Sequence, residues 1–234
     1  MTAPHIAHAV WHTLRISVPT VWEGLRGTLS PEVVDERLES WSHAIVKRAA
    51  IDLHVEGGEH AVAGESFVVM SNHQSLYDVP VVYQALHRRI RMVAKQELFR
   101  VPIWGKAMQR AGFIALDRGN RERSRQTLLA SAGVLQAGTS IWIAPEGTRS
   151  KTGELGEFRK GGFHLALQSG CRILPISIAG TRAVLPAKGA HITDGCQVKV
   201  FVHPAIDSQV FGEARRDELI GAVRSAIASR LTPA

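Results

Sequence analysis

An imidazole and a carboxylate stand five residues apart in Ser71-Asn72-His73-Gln74-Ser75-Leu76-Tyr77-Asp78, and together they can form a proton-transfer pair. On an ideal helix His73 and Asp78 do not share a face, because neighbours there are three or four residues apart. They meet if the chain turns sharply after the apolar run Phe67-Val68-Val69-Met70 and Asp78 falls in the first turn of a following helix. The carboxylate then accepts one imidazole N–H, fixes the tautomer and leaves the other nitrogen as a base. Such a base acts directly on a substrate hydroxyl without a Ser or Cys nucleophile. A strand-end histidine followed by a helix-capping aspartate has the same spelling, and short motifs match by chance.

A second block changes the balance. Ile141-Trp142-Ile143-Ala144 is another short apolar run, and Pro145-Glu146-Gly147-Thr148-Arg149-Ser150 follows it. Gly147 would let a backbone approach a ligand closely, and Arg149 offers a planar fork suited to phosphate.

Together the blocks resemble the glycerolipid acyltransferases, the superfamily of 1-acylglycerol-3-phosphate acyltransferases. Its N-H-x-x-x-x-D motif is matched by Asn72, His73 and Asp78, and its P-E-G-T-R-S motif by residues 145–150. Between them, Gly112-Phe113-Ile114-Ala115-Leu116-Asp117-Arg118 is similar to the family's second motif, and Ile173-Leu174-Pro175-Ile176 to its fourth. Lys95-Gln96-Glu97-Leu98 with Pro102 and Gly105, and Phe158-Arg159-Lys160-Gly161-Gly162-Phe163, also fit. The matches run in order from about Leu53 to Ala179. Ala144 departs from the pattern, which usually has an aromatic residue before the proline.

The resemblance implies acyl transfer from a thioester, carried by coenzyme A or an acyl carrier protein, to a glycerolipid hydroxyl. His73 would take the hydroxyl proton, and Asp78 would orient and stabilise the imidazolium. Backbone N–H groups near Gly147, or the Lys95 ammonium, would face the developing oxyanion. Arg118 and Arg149 would hold the acceptor phosphate, with Lys95 in reserve. Glu146 would hold an arginine or the acceptor's free hydroxyls, and Asn72 and Thr148 complete the expected substrate-binding set. Lysophosphatidate is the default acceptor. Glycerol 3-phosphate, another lysophospholipid or a lyso-aminolipid would use the same motifs.

Alternation of strand and helix patterns must position these residues. Strands are predicted at 51–55, 67–70, 91–94, 113–116, 141–144, 173–178 and 198–202. Helices are predicted at 79–86, 103–110, 124–136, 162–168 and 215–231. The alternation gives an α/β domain with a mixed, mostly parallel sheet and helices on both faces. Ligands of such sheets bind beyond the carboxyl ends of the strands, where both motif blocks fall. Residues 51–234 are expected to form this domain, and residues 1–50 an appendage of two amphipathic helices. The first has Val10, Trp11, Leu14, Val18, Val21, Trp22 and Leu25 at helical spacing. The second starts at Ser30-Pro31 and carries Val34, Leu38, Trp41, Ile45 and Val46. With Arg15, Arg26, Lys47 and Arg48 nearby, the two helices either lie in a membrane interface or pack on the domain.

The formal charge of +7 suits an anionic partner such as a membrane surface or a phosphate-bearing substrate. No uninterrupted apolar stretch reaches spanning length, so a peripheral protein on the cytoplasmic side of a membrane is expected. Cys171 and Cys196, without a C-x-x-C pair or a secretory leader, agree with a reducing compartment. The histidines lack metal-ligand spacing, and G-x-G-x-x-G and P-loop signatures are missing, so neither a metal nor a cofactor beyond the acyl donor is expected. A hydrolase is disfavoured by the lack of a G-x-S-x-G elbow. A non-catalytic basic membrane module fits the charge but leaves both residue sets unexplained. There is no aromatic-basic nucleic-acid motif.

Overall fold

The computed structural model describes residues 3–231. The chain opens with helices α1 (Ala3–Arg26) and α2 (Pro31–Arg48). Ser30 caps α2 by accepting the Val33 N–H, and Pro31 takes the first helical position, where a missing N–H costs nothing. Then come β1 (Asp52–Glu56), β2 (Val68–Ser71), α3 (Asp78–Leu86), β3 (Ile90–Lys95), α4 (Trp104–Arg110) and β4 (Ile114–Leu116). They are followed by α5 (Arg121–Ala130), α6 (Ala132–Gln136), β5 (Ser140–Ile143) and α7 (Gly161–Ser169). Strand β6 (Ile173–Ala179), the short α8 (Thr181–Val184), β7 (Gln197–Val202) and α9 (Arg216–Ala228) complete the order.

Among the described residues seven strands form one sheet in the order β1-β7-β6-β2-β5-β3-β4. The five strands from β6 to β4 are mutually parallel, whereas β7 runs antiparallel to β6 and pairs in parallel with β1. The carboxyl ends of β6, β2, β5, β3 and β4 therefore share one rim. Alternation along β2 separates two cores: Val69 packs with α2 and α3 residues, while Val68 and Met70 pack with α7 and α9 residues. Burial on both faces explains why β2 reads as a continuous apolar run.

The expected helix over 124–136 is two helices. Ser131 Oγ donates to Thr127 O at 2.8 Å, an i−4 back-bond of the kind that bends helices. Its start moves to Arg121 because Asn120 Oδ1 caps the Arg123 N–H at 3.0 Å. Arg123 and Arg125 accordingly lie on the solvated first two turns of α5.

The two N-terminal helices use their apolar stripes in opposite ways. Helix α2 turns Val34, Leu38, Ile45 and Val46 into the core against α3. Helix α1 packs on α2 and α4 but leaves Val10, Leu14, Val18 and Leu25 facing out, with Trp11 65% and Trp22 60% exposed. Among the described residues no helix is long and apolar enough to cross a membrane.

Candidate active site

Strand β2 ends at Ser71, and the chain turns at once. Asp78, fully buried at the first position of α3, folds back so that its Oδ2 accepts three N–H groups. These come from Gln74 N at 2.7 Å, Ser75 N at 2.9 Å and His73 Nδ1 at 2.7 Å. Two of the donors are main-chain groups with no tautomer, so Oδ2 is an acceptor throughout and Nδ1 carries the proton. The helix N-terminus adds to the stabilisation of this carboxylate. Nε2 is left with a free lone pair on a ring whose side chain is 16% exposed, which is the arrangement of a base. Asp78 Oδ1 is buried without a partner, so stabilisation of the carboxylate passes through the one oxygen that faces His73.

The loop after β5 grips the loop after β2. Glu146 Oε1 accepts the His73 N–H at 2.9 Å, and the Ser150 N–H donates to His73 O at 2.7 Å. Glu146 Oε2 accepts from Gly156 N at 2.9 Å. The glutamate is buried, which pushes its carboxyl above the usual carboxylate range, and the Gly156 and His73 N–H groups pull the other way. No arginine is bonded to it among the described residues; of its two expected partners the arginine is not found, and two backbone donors hold its oxygens. Asn72 also differs from expectation. Its amide donates to Ile178 O and accepts from Ile178 N, both at 2.8 Å, so it pins the loop to β6 and has no open face for substrate.

Gly147 sits at φ 71°, and a Cβ there would lie 2.7 Å from Arg159 Nε. The close approach that requires a glycine is therefore made by a protein guanidinium. The Gly147 N–H is bonded to Ala144 O at 3.0 Å, which withdraws it from the oxyanion role. Thr148 is exposed beside it and Arg149 half-buried, both lining a groove with Arg159. Arg118 stands two residues beyond the end of β4. Burial lowers its basicity, the charge of Arg159 adds to that, and Glu97 opposes it. Its Nε is buried with no hydrogen-bond partner. Arg118, Arg149 and Arg159 form no ion pair among the described residues, so the rim presents cations in search of an anion. Lys95 ends β3 with its Cα paired to that of Leu116, two residues before Arg118, and is exposed.

The description "Acyltransferase" belongs to the family model that matches residues 52–179, from β1 to the end of β6. The chain belongs to the acyltransferase family. It is 32% identical over 180 residues to a chloroplastic 1-acyl-sn-glycerol-3-phosphate acyltransferase of Arabidopsis thaliana, covering 76% of this chain and 49% of the relative. Over 155 residues it is 34% identical to the human 1-acyl-sn-glycerol-3-phosphate acyltransferase alpha, covering 64% of this chain and 54% of that protein. The chain thus spans about half the length of these relatives. The crystal structure of the 1-acyl-sn-glycerophosphate acyltransferase PlsC of Thermotoga maritima superposes with a TM-score of 0.77 at 25% identity. That match covers 97% of this chain and 96% of the other.

Within this acyltransferase fold, two residues enter the site that sequence reasoning placed elsewhere. Trp142 was legible only as part of a buried strand. Its ring meets that of His73 edge-on at 5.7 Å, and its Nε1 donates to Ser71 Oγ at 2.9 Å, so it fixes the imidazole plane from the neighbouring strand. Arg159 lay in a recognised motif block without a role. Its N–H bonds Pro145 O at 2.9 Å, which carries its side chain across Gly147 toward Arg118. Gly147, whose Cβ would meet the Arg159 guanidinium, was the available signal for Arg159.

Proposed function

We propose that this chain transfers a fatty acyl group from a thioester donor to the free hydroxyl of lysophosphatidate. The observation that carries the reading is the His73–Asp78 pair at 2.7 Å, set on the same rim as three arginines that have no carboxylate partner among the described residues. His73 Nε2 removes the hydroxyl proton while the oxygen attacks the thioester carbonyl. Collapse of the tetrahedral intermediate breaks the C–S bond, and the imidazolium returns its proton to the departing sulfur. Asp78 stabilises the imidazolium between these steps. Lys95 is the cation left to face the oxyanion, and Arg118, Arg149 and Arg159 bind the acceptor phosphate bidentately. The donor is acyl-coenzyme A or an acyl carrier protein, and no cofactor takes part.

The exposed stripe of α1 and the net charge of +7 support a protein lying on a membrane that supplies the acceptor. Transfer of radiolabelled acyl groups to lysophosphatidate, with glycerol 3-phosphate and other lysophospholipids as parallel acceptors, tests the assignment. Labelled phosphatidate from wild type, formed about 10²–10⁴-fold more slowly by folded His73→Ala, is the expected result. Transfer to every acceptor except lysophosphatidate, or equal transfer by both proteins, would overturn it.

A further inference from the structure

Helix α1 carries a second pattern beside its apolar stripe. At 3.6 residues per turn, His8, His12 and Arg15 fall between the outward face of Trp11, Val18 and Trp22 and the inward face of His5, Ile16 and Thr20. They line a groove whose other wall is α2, with His43, Lys47 and Arg48. Three imidazoles and three permanent cations thus face one another, and among the described residues no carboxylate lines the groove.

Carboxylates on the surrounding elements are turned to other partners. Asp194 bonds His5 at 2.6 Å, Glu23 bonds Arg37 at 2.6 Å, and Glu39 bonds Gln84 and His87. Glu36, one turn before Ser40 on α2, lies outside the lining. Helix α4 adds a further cation, Arg110, against Gly24 at the far end of α1. The His8 and His12 rings lie 4.3 Å apart, and burial, His8 and Arg15 together push the His12 imidazole toward its neutral form. His8 Nε2 faces Ala44 O at 3.2 Å, which orients that ring across the groove. So much unneutralised charge in a concave site is the electrostatic signature of an anion that is multiply charged and rich in acceptors.

We propose that the groove between α1 and α2 binds the phosphomonoester headgroup of a membrane lipid, chemically a phosphatidate. This rests on the placement of α1 against a bilayer argued above. The groove opens along one border of the apolar stripe, so an acyl-anchored phosphate reaches it while Trp11 and Trp22 sit among the chains, whereas a soluble phosphate has no use for that border. A monoester dianion matches the charge of the groove better than a phosphodiester. The site lies apart from the His73 rim and gives the protein a preference for the bilayer patches rich in the lipid it is proposed to make.

Co-sedimentation of the full chain with phosphatidylcholine vesicles carrying either phosphatidate or phosphatidylglycerol, at matched surface charge, tests this. Wild type should bind the phosphatidate vesicles about tenfold more tightly, the gain expected of one charge-assisted hydrogen bond to the monoester. Arg15→Gln with Lys47→Gln, two exposed positions, should erase the preference while leaving acyl transfer to detergent-dispersed acceptor unchanged. Ser40→Glu, which sets an acid in the groove wall, should do the same without altering packing. A wild type without preference, or a preference that survives both variants, overturns the proposal. So does inorganic phosphate shifting the His8 and His12 ring resonances as tightly as phosphatidate does. Failure to bind any vesicle removes the membrane placement and the groove together. Loss of the acyl-transfer reading with the preference intact leaves the groove standing.

Discussion

The main chain of His73 is held at both ends by the loop that contains Glu146, through the glutamate's acceptance of the His73 N–H and the Ser150 N–H donated to His73 O. Two sequence motifs separated by some seventy residues are therefore one device. The first supplies the base and its carboxylate, and the second fixes where the base stands. Because β2 and β5 are adjacent parallel strands, the two loops emerge side by side.

Glu146→Gln should expose this dependence. A glutamine has one acceptor oxygen for the two backbone N–H groups of His73 and Gly156, so one buried donor is left unsatisfied, at about 1–3 kcal/mol. Turnover should fall although residue 146 takes no part in proton transfer. The pH dependence has a definite sign. The folded-state pKa of Glu146 is raised, so its contribution is fullest below the unfolded carboxylate value and declines as pH rises through the folded one. Denaturant titrations of both proteins should show the stability of wild type relative to Glu146→Gln falling with pH across that window. A constant difference would mean that the carboxyl is not perturbed.

His73→Ala and Asp78→Asn should separate chemistry from architecture. The alanine change removes a partly exposed ring and should lower turnover by about 10²–10⁴-fold with little change in melting temperature. Asp78 is fully buried and organises three donors, so the asparagine should lower both turnover and melting temperature. Near-normal activity in a folded His73→Ala protein would remove the general-base mechanism.

Arg118→Ala and Arg159→Ala should each raise the KM for lysophosphatidate far more than that for the acyl donor. Arg118→Lys should rescue only in part, because an ammonium lacks the bidentate fork. Losing Arg118 also removes a buried, unpartnered Nε, so the alanine protein should be no less stable than wild type without substrate. Equal rises for both substrates would mark these arginines as structural.

The sheet and the catalytic pair were legible because both depend on local pattern. Continuous apolar runs marked β2, β5 and β6 as doubly buried, and the turn needed to bring His73 to Asp78 follows from their five-residue spacing. The roles of Asn72, Glu146 and Gly147 were not legible, because their partners come from elsewhere in the fold. Ile178, Gly156 and Arg159 reach them only once β6 and the loop after β5 are placed. The opposite uses of the α1 and α2 stripes were equally hidden, since amphipathic spacing records that a face is apolar and says nothing of what covers it.

That uncovered face gives the last prediction. Trp11 and Trp22 are each largely exposed on α1, so Trp11→Glu with Trp22→Glu should leave the melting temperature almost unchanged. Membrane binding should suffer, because the change removes two interfacial anchors and adds two charges that an anionic surface repels. Activity on acceptor in anionic vesicles should fall, while activity on detergent-dispersed acceptor should stay close to wild type. High salt should weaken vesicle binding of the wild type without abolishing it, because salt screens the cations but not the tryptophans. If the double variant sediments with vesicles as well as wild type does, the stripe on α1 is not the membrane-facing surface.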